Sequence, residues 1–282
     1  MAAVAGAGAV GLSLAFAPFA ACGGNAFTAG TSEDSGPPDS GPPPAVDAGH
    51  FCASLDAATY PFCSDFDEKP LPENWDSVVT PGTATLAEDD AGFSPPNALL
   101  AFAPGQALLD GGTNEAFVTK TGLPHGGVHI AFEVRVDELK FPSGAVSDSS
   151  VIVLSYTQGK VYQVIVAFTP PATSAAVSLV LIEIVEGIDG GVSGTAHSLD
   201  GLVASADISQ WLPMQMDFDI DDTVGLTVPA QVTLGSTSVQ LSLTPPLGTA
   251  LGDRSLTIGA EAVGQVDETR IHYDNVTYSA LK

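Results

Sequence analysis

From Phe51 onward the apolar residues recur at every second position or in short unbroken runs. No stretch of ten or more residues beyond Cys22 carries the three-to-four spacing and the caps of a helix. In Gly127 to Asp137, GVHIAFEVRVD, alternation starts at Ile130: Phe132, Val134 and Val136 leave the pleat on one side, Ala131, Glu133 and Arg135 on the other. SVIVLSY, KVYQVIVAF and AVSLVLIEIVEG are near-continuous β-branched runs, as strands covered on both faces or bent into a sandwich core would be. PMQMDFDI, AQVTLG, SVQLSLT, SLTIGA and RIHYDNVTY follow, separated by Gly, Pro, Asp and Thr turns. Some dozen strands in roughly 230 residues, with no helices between them, predict an all-β fold: one antiparallel two-sheet sandwich over residues 51–282.

Charge narrows the partners. Against 33 acidic residues stand only 8 Lys and Arg, a formal charge of -25. That field repels phosphate backbones and anionic headgroups, so nucleic acid is excluded as a partner. Charged residues are only 15% of the chain, so the imbalance comes from missing basic residues more than from added acids. Carboxylates on loops leave calcium open as an ion, but acid counts do not locate a cage, and a solvated acidic surface is the favoured account of them.

Ahead of the strands the chain has a different character. Residues 2–21, AAVAGAGAVGLSLAFAPFAA, are uncharged, apolar and rich in Ala and Gly, like the apolar region and cleavage zone of a secretory signal, though without the positive residues that open one. Phe19, Ala20 and Ala21 before Cys22, with Gly23 after it, resemble the lipobox of bacterial lipoproteins, with Phe in place of the more usual Leu. The resemblance implies cleavage before Cys22 and acylation of its thiol. Plain secretion and a retained membrane helix are the other readings of the run. Then comes a stretch in which DSGPP, Asp34 to Pro38, is repeated as Asp39 to Pro43. Such Gly/Ser/Pro sequence cannot bury enough apolar surface to order itself, and about 28 residues at 3.1 Å each reach at most ~85 Å, a spacer between lipid and domain. There are 3 cysteines. If Cys22 is acylated, Cys52 and Cys63 are free to pair across CASLDAATYPFC; two buried free thiols are the alternative.

Four segments then fall in a telling order: FCSDFDEKPLPENWD (Phe62 to Asp76), SPPNALLAFAP (Ser94 to Pro104), FEVRVD (Phe132 to Asp137) and HYDNVTY (His272 to Tyr278). Together they resemble bacterial exported proteins of the concanavalin A-like lectin/glucanase superfamily, including laminin G-like domains. The resemblance implies a jelly roll whose first and last strands pair, CSDFD beside DNVTY, and a carbohydrate-facing fold that is often a binding module and sometimes a hydrolase.

Candidate chemistry is sparse. Asp217-Phe218-Asp219-Ile220-Asp221-Asp222 is similar in period to the E-x-D-x-E segment of laminarinase-type hydrolases, so Asp217, Asp219 and Asp222 are the catalytic candidates. Asp217, Asp219 and Asp221 would line one face, opposite Met214, Met216, Phe218 and Ile220. Positions four apart on a strand lie roughly 13 Å apart, whereas a retaining pair needs carboxyls about 5 to 5.5 Å apart. Short Asp side chains close that gap poorly, and an exposed polar face accounts for the same alternation. His125 and His129 are split by two glycines that prevent the helix a metal pair would need. Asn275-Val276-Thr277 fits a glycosylation acceptor but reads as part of the last strand. For sugar contact the candidates are Tyr156, Tyr162 and Trp75; Tyr156 and Tyr162 flank TQGK at a possible sheet rim, while Trp75 and Trp211 read equally as core or edge packing.

The expectation is therefore a signal over 1–21, a lipidated Cys22 and spacer over 22–50, and one jelly roll over 51–282. It would be a monomer exported and lipid-anchored to a bacterial cell envelope, at the outer membrane or cell surface, touching membrane through the lipid only. Its partner would be a polysaccharide or other glycan, bound without catalysis or cofactor. A glycan hydrolase or lyase using carboxylates, and a structural envelope protein with no sugar ligand, are the alternatives.

Overall fold

The computed structural model describes residues 51–281 apart from 68, 105–113, 141–148, 158–159, 170–176, 188–189, 204–205, 221–226, 247–248, 250–251 and 263–267. Cys22 and the spacer lie outside the described residues, as do Asp221 and Asp222. Among the described residues no helix is long and apolar enough to cross a membrane.

The strands, in chain order, are β1 (Phe62–Ser64), β2 (Ser77–Val79), β3 (Thr85–Asp89), β4 (Ala98–Pro104) and β5 (Asn114–Thr121). β6 (Gly127–Lys140), β7 (Ser149–Thr157), β8 (Val161–Thr169), β9 (Ser178–Glu186) and β10 (Val192–Ser198) follow. After the short helix α1 (Asp200–Val203) come β11 (Leu212–Phe218), β12 (Val228–Leu234), β13 (Thr237–Leu243), β14 (Asp253–Ala262) and β15 (Glu268–Leu281). The first sheet has the order β13-β12-β11-β6-β15-β4-β3, with β1 also on β15; the second runs β10-β9-β8-β7-β14-β5-β2. The pairing is antiparallel throughout, and the two sheets form the expected jelly-roll sandwich. The first and last strands do pair, with Phe62, Cys63 and Ser64 opposite Tyr278, Thr277 and Val276.

The alternation in the sequence sets the inner faces. Ile130, Phe132, Val134 and Val136 of β6 and Met214, Met216 and Phe218 of β11 are buried, and they join Leu154, Val164, Leu181, Leu256 and Ile258 of the second sheet in one continuous apolar cluster. On β15 the inward positions change parity, from Ile271 and Tyr273 to Val276 and Tyr278. A bulge between Asp274 and Thr277 inserts the extra residue, with Asn275 at φ 51°. His272 and Asp274 before the bulge, and Thr277 and Ser279 after it, therefore share the outer face of the first sheet.

Cys52 and Cys63 form the disulfide, with Cα atoms 5.7 Å apart. It ties the turn at Cys52–Ser54 to β1, and the Cys52 N–H also donates to Asp65 Oδ2 at 3.0 Å. Replacing both cysteines with Ser is expected to lower stability by about 3 kcal/mol through the entropy of the opened loop, read as a lower denaturant midpoint. An unchanged midpoint would mean that β1 is held without the bridge.

Candidate functional site

The outward positions of β6, β11, β12, β13 and β15 fall into register and build a polar surface. One cross-strand row is Gln240, Gln231, Asp217, His129 and Ser279. The next is Ser238, Thr233, Gln215, Ala131 and Thr277. Within the rows His129 Nδ1 lies 2.5 Å from Asp217 Oδ1 and Thr233 Oγ1 2.8 Å from Ser238 Oγ, and between them Gln231 Nε2 reaches Thr233 Oγ1 at 3.4 Å. Asp217, Asp219, Gln231, Gln240 and Ser242 border an open depression of about 480 Å³. Successive side chains in a row sit about 4.8 Å apart, the inter-strand spacing, so the first row is a ladder of amide, carboxylate, imidazole and hydroxyl groups across the strands, and the second one of hydroxyls and an amide interrupted by Ala131.

At one end of this surface stands an aromatic wall. Trp211 immediately precedes β11, and continuing the β11–β6 register places it opposite Arg135. The Arg135 guanidinium lies over its ring, 5.0 Å from the centroid. Phe93, from the β3–β4 connection, meets Trp211 edge-on at 6.1 Å and is itself 50% exposed. Behind the wall, Arg135 Nε donates to Asp137 Oδ1 (2.7 Å) and Nη1 to the Ala91 carbonyl (3.3 Å), while Nη2 lies 3.2 Å from His272 Nδ1. His272 is buried, which pushes its pKa down, although the carboxylates of Asp137 and Asp89 pull the other way.

Beside it, Glu133 on β6 faces Asp274 on β15 directly. Asp274 is fully buried; its Oδ2 accepts from Ser94 N (2.8 Å) and Ser94 Oγ (3.1 Å), and its Oδ1 accepts from Asn275 N (2.7 Å). Burial outweighs these donors and raises its pKa to about 7. Glu133 is likewise raised to about 7, first by burial and then by the Asp274 charge. Its Oε2 is buried with no hydrogen-bond donor.

The sequence-based candidates are placed as follows. Asp217 and Asp219 do face outward from buried Met214, Met216, Phe218 and Ile220, but Asp217 is engaged by His129 and Asp219 is solvent-exposed. Tyr156 and Tyr162 are not rim residues. Each is 1% exposed, because even-numbered positions of β7 and β8 point into the core, where the two rings meet at 5.8 Å. Trp75 is 5% exposed, edge-on to Phe62 at 4.9 Å and stacked on Phe66, so it is a core residue. Trp211, expected in core or edge packing, belongs to the outer face instead. Asn275 is buried within β15. Among the described residues no group of three or more His, Cys, Asp or Glu is arranged to hold a metal ion.

No family model matches the chain, and no curated protein matches it. Among solved structures the chain is similar to an endo-β-1,4-glucuronan lyase from the fungus Trichoderma reesei, at 12% identity and a TM-score of 0.59, over 79% of this chain and 96% of that one. It is also similar to the alginate lyase Aly36B, at 10% identity and a TM-score of 0.50, over 74% and 89% of the two chains. At such identities the likeness is one of fold.

Proposed function

We propose that the domain binds an uncharged glycan across the outer face of its first sheet, without catalysis. The observation that carries this reading is the pair of cross-strand polar rows on the same sheet face as the Trp211–Phe93 wall, which stands two outward positions further along β11 from the second row. Flat aromatic area beside convergent amide and hydroxyl groups is what a sugar ring, apolar on its faces and polar at its rim, requires. The net charge of -25 argues for an uncharged ligand over a polyuronate. That solved relatives in fold include enzymes named for glucuronan and alginate supports a sugar ligand in kind. For residues 1–50 the reading remains export, with a lipid on Cys22 holding a monomeric domain at the cell envelope.

One observation favours a second reading, a glycan hydrolase or lyase. Directly opposed residues on neighbouring strands lie close enough for a carboxyl pair, and Glu133 is poised to hold a proton near neutrality. Against it, Asp274 is fully buried and both of its oxygens accept donors from Ser94 and Asn275, so it cannot approach an anomeric carbon. For β-elimination, Arg135, the cation nearest the wall, is already bound by Asp137. Tyr156, Tyr162, Tyr273 and Tyr278 all point into the core.

Affinity electrophoresis of the full chain against soluble β-glucans, xylan, alginate and polyglucuronate tests both readings. Retardation by an uncharged polymer is expected, unchanged by a chelator and weakened about tenfold by Trp211→Ala or by Gln231→Ala with Gln240→Ala. Release of unsaturated uronate ends, followed by ultraviolet absorbance, or of new reducing ends would establish the second reading. Retardation by no polymer would leave the structural role.

A further inference from the structure

The wall of the site hangs on buried carboxyls. Phe93 and Ser94 are consecutive in the β3–β4 connection, and Ser94 is tied down through its N–H and its hydroxyl to Asp274 Oδ2, and through its hydroxyl to Asn275 Oδ1 at 2.9 Å. Three residues on, Asn97 N donates to Asp67 Oδ1 at 2.7 Å. Directly across the strand pair from Asp274 sits Glu133, with Oε2 buried and no donor to hold a negative charge. Two carboxyls so placed cannot both ionise at low cost. We propose that Glu133 and Asp274 form a proton-operated latch on the Phe93 loop, keeping the aromatic wall in place in acid and loosening it as the pair gives up its proton.

The surrounding charges leave this pair in control. Asp67, from the β1–β2 segment, adds a further negative charge that raises Asp274. One step along the same face, Arg135 on β6 is held by Asp137, and His272 on β15 lies between Asp137 and Asp89. β11 contributes only Pro213 and Gln215 at this level, and Asp90, in the loop, is exposed. The direction of the switch follows from linkage. In the closed arrangement both carboxyls bind their protons more tightly than they would in water, at about 7. Preference for closure is therefore full below the ordinary carboxylate range and is lost as pH rises to about 7.

The latch rests on the glycan reading for its purpose, but its test needs no glycan. Trp211 touches Phe93, so its emission, isolated by difference against Trp211→Phe in the full chain, reports the wall. We expect a red shift and increased acrylamide quenching on the alkaline side of a single step centred near pH 7. Glu133→Gln, of the same shape and without charge, should abolish the step and stay in the acid-like state at high pH. Ser94→Ala, which removes both hydroxyl bonds and keeps the N–H bond to Asp274, should move the step to lower pH. A flat profile, or a step that survives Glu133→Gln and so belongs to His272 beside the indole, would overturn the latch. A step seen with no glycan bound by any measure would keep the latch and sink the glycan reading. PH-independent binding with a flat emission profile would do the reverse.

Discussion

Gly259→Ala should cost roughly 4–5 kcal/mol, enough to unfold a marginal domain. Gly259 lies within β14 at φ 150°, and a Cβ added there would sit 1.9 Å from the Ala116 carbonyl oxygen and 2.7 Å from Phe117 Cδ1. Both neighbours belong to the paired strand β5, so relief requires moving the ladder of the second sheet and not a side-chain tip. The Gly259 carbonyl also accepts the hydroxyl of fully buried Tyr273, so any shift of β14 disturbs a contact between the two sheets. Gly122→Ala is the comparison: φ is 65° there, but no heavy atom lies within 4 Å of the added carbon. It should cost only about 1–2 kcal/mol, the backbone term alone. Chemical denaturation of the three proteins checks this, and a Gly259→Ala loss no larger than that of Gly122→Ala would show that the sheet relaxes freely.

Glu183→Ala is expected to cost about 2–3 kcal/mol, because it strands the buried Tyr162 hydroxyl and also removes the partner of the Thr244 N–H and of half-buried His197. Glu183 is 5% exposed on the inner face of β9. Its Oε2 accepts from the Tyr162 hydroxyl and from the Thr244 N–H, each at 2.7 Å, and His197 Nε2 lies 2.7 Å from Oε1. Burial, and after it the same carboxylate, push the Tyr162 phenol well above its ordinary pKa and keep it a donor. Glu183→Gln should cost far less: its amide oxygen still accepts from Tyr162 and Thr244, and a neutral His197 can turn its ring nitrogen into the acceptor. Equal losses in the two variants would mean that shape, not hydrogen bonding, is what the site requires.

How much of this was readable in the chain depends on how each residue's direction is set. On β6 and β11 one face is apolar and the other polar, so alternation alone assigned Phe132 and Met216 inward and Glu133 and Asp217 outward. In β7, β8 and β9 it could not, because Val153, Ile165 and Ile182 on the outer face oppose one another across the strands while Leu154, Val164 and Leu181 fill the core. Apolar on both sides, these strands hide their period, so the TQGK turn between Tyr156 and Tyr162 suggests a rim that the buried rings do not occupy. The site was hidden differently. Its rows bring Gln240 beside Gln231, Asp217 beside His129 and Ser279 beside His129, and the level next to them brings Asp274 beside Glu133, pairings set by register between distant parts of the chain. No local pattern encodes them. The acid pair is more remote still, since its burial comes from a loop folding over a sheet face.

The central places of β14 and β15 bear on how such a chain reaches its fold. Without β15 the first sheet falls into β13-β12-β11-β6 on one side and β4-β3 on the other, and without β14 the second divides the same way. Strands β2 to β5 thus pair only with one another, β3 with β4 and β2 with β5, until the last thirty or so residues emerge to join them to the rest, and closing loops of that length makes assembly slow. A polypeptide leaving the ribosome in that order can pair β6 with β11 to β13, and β7 to β10 with one another, but it cannot close its sandwich until synthesis is nearly over.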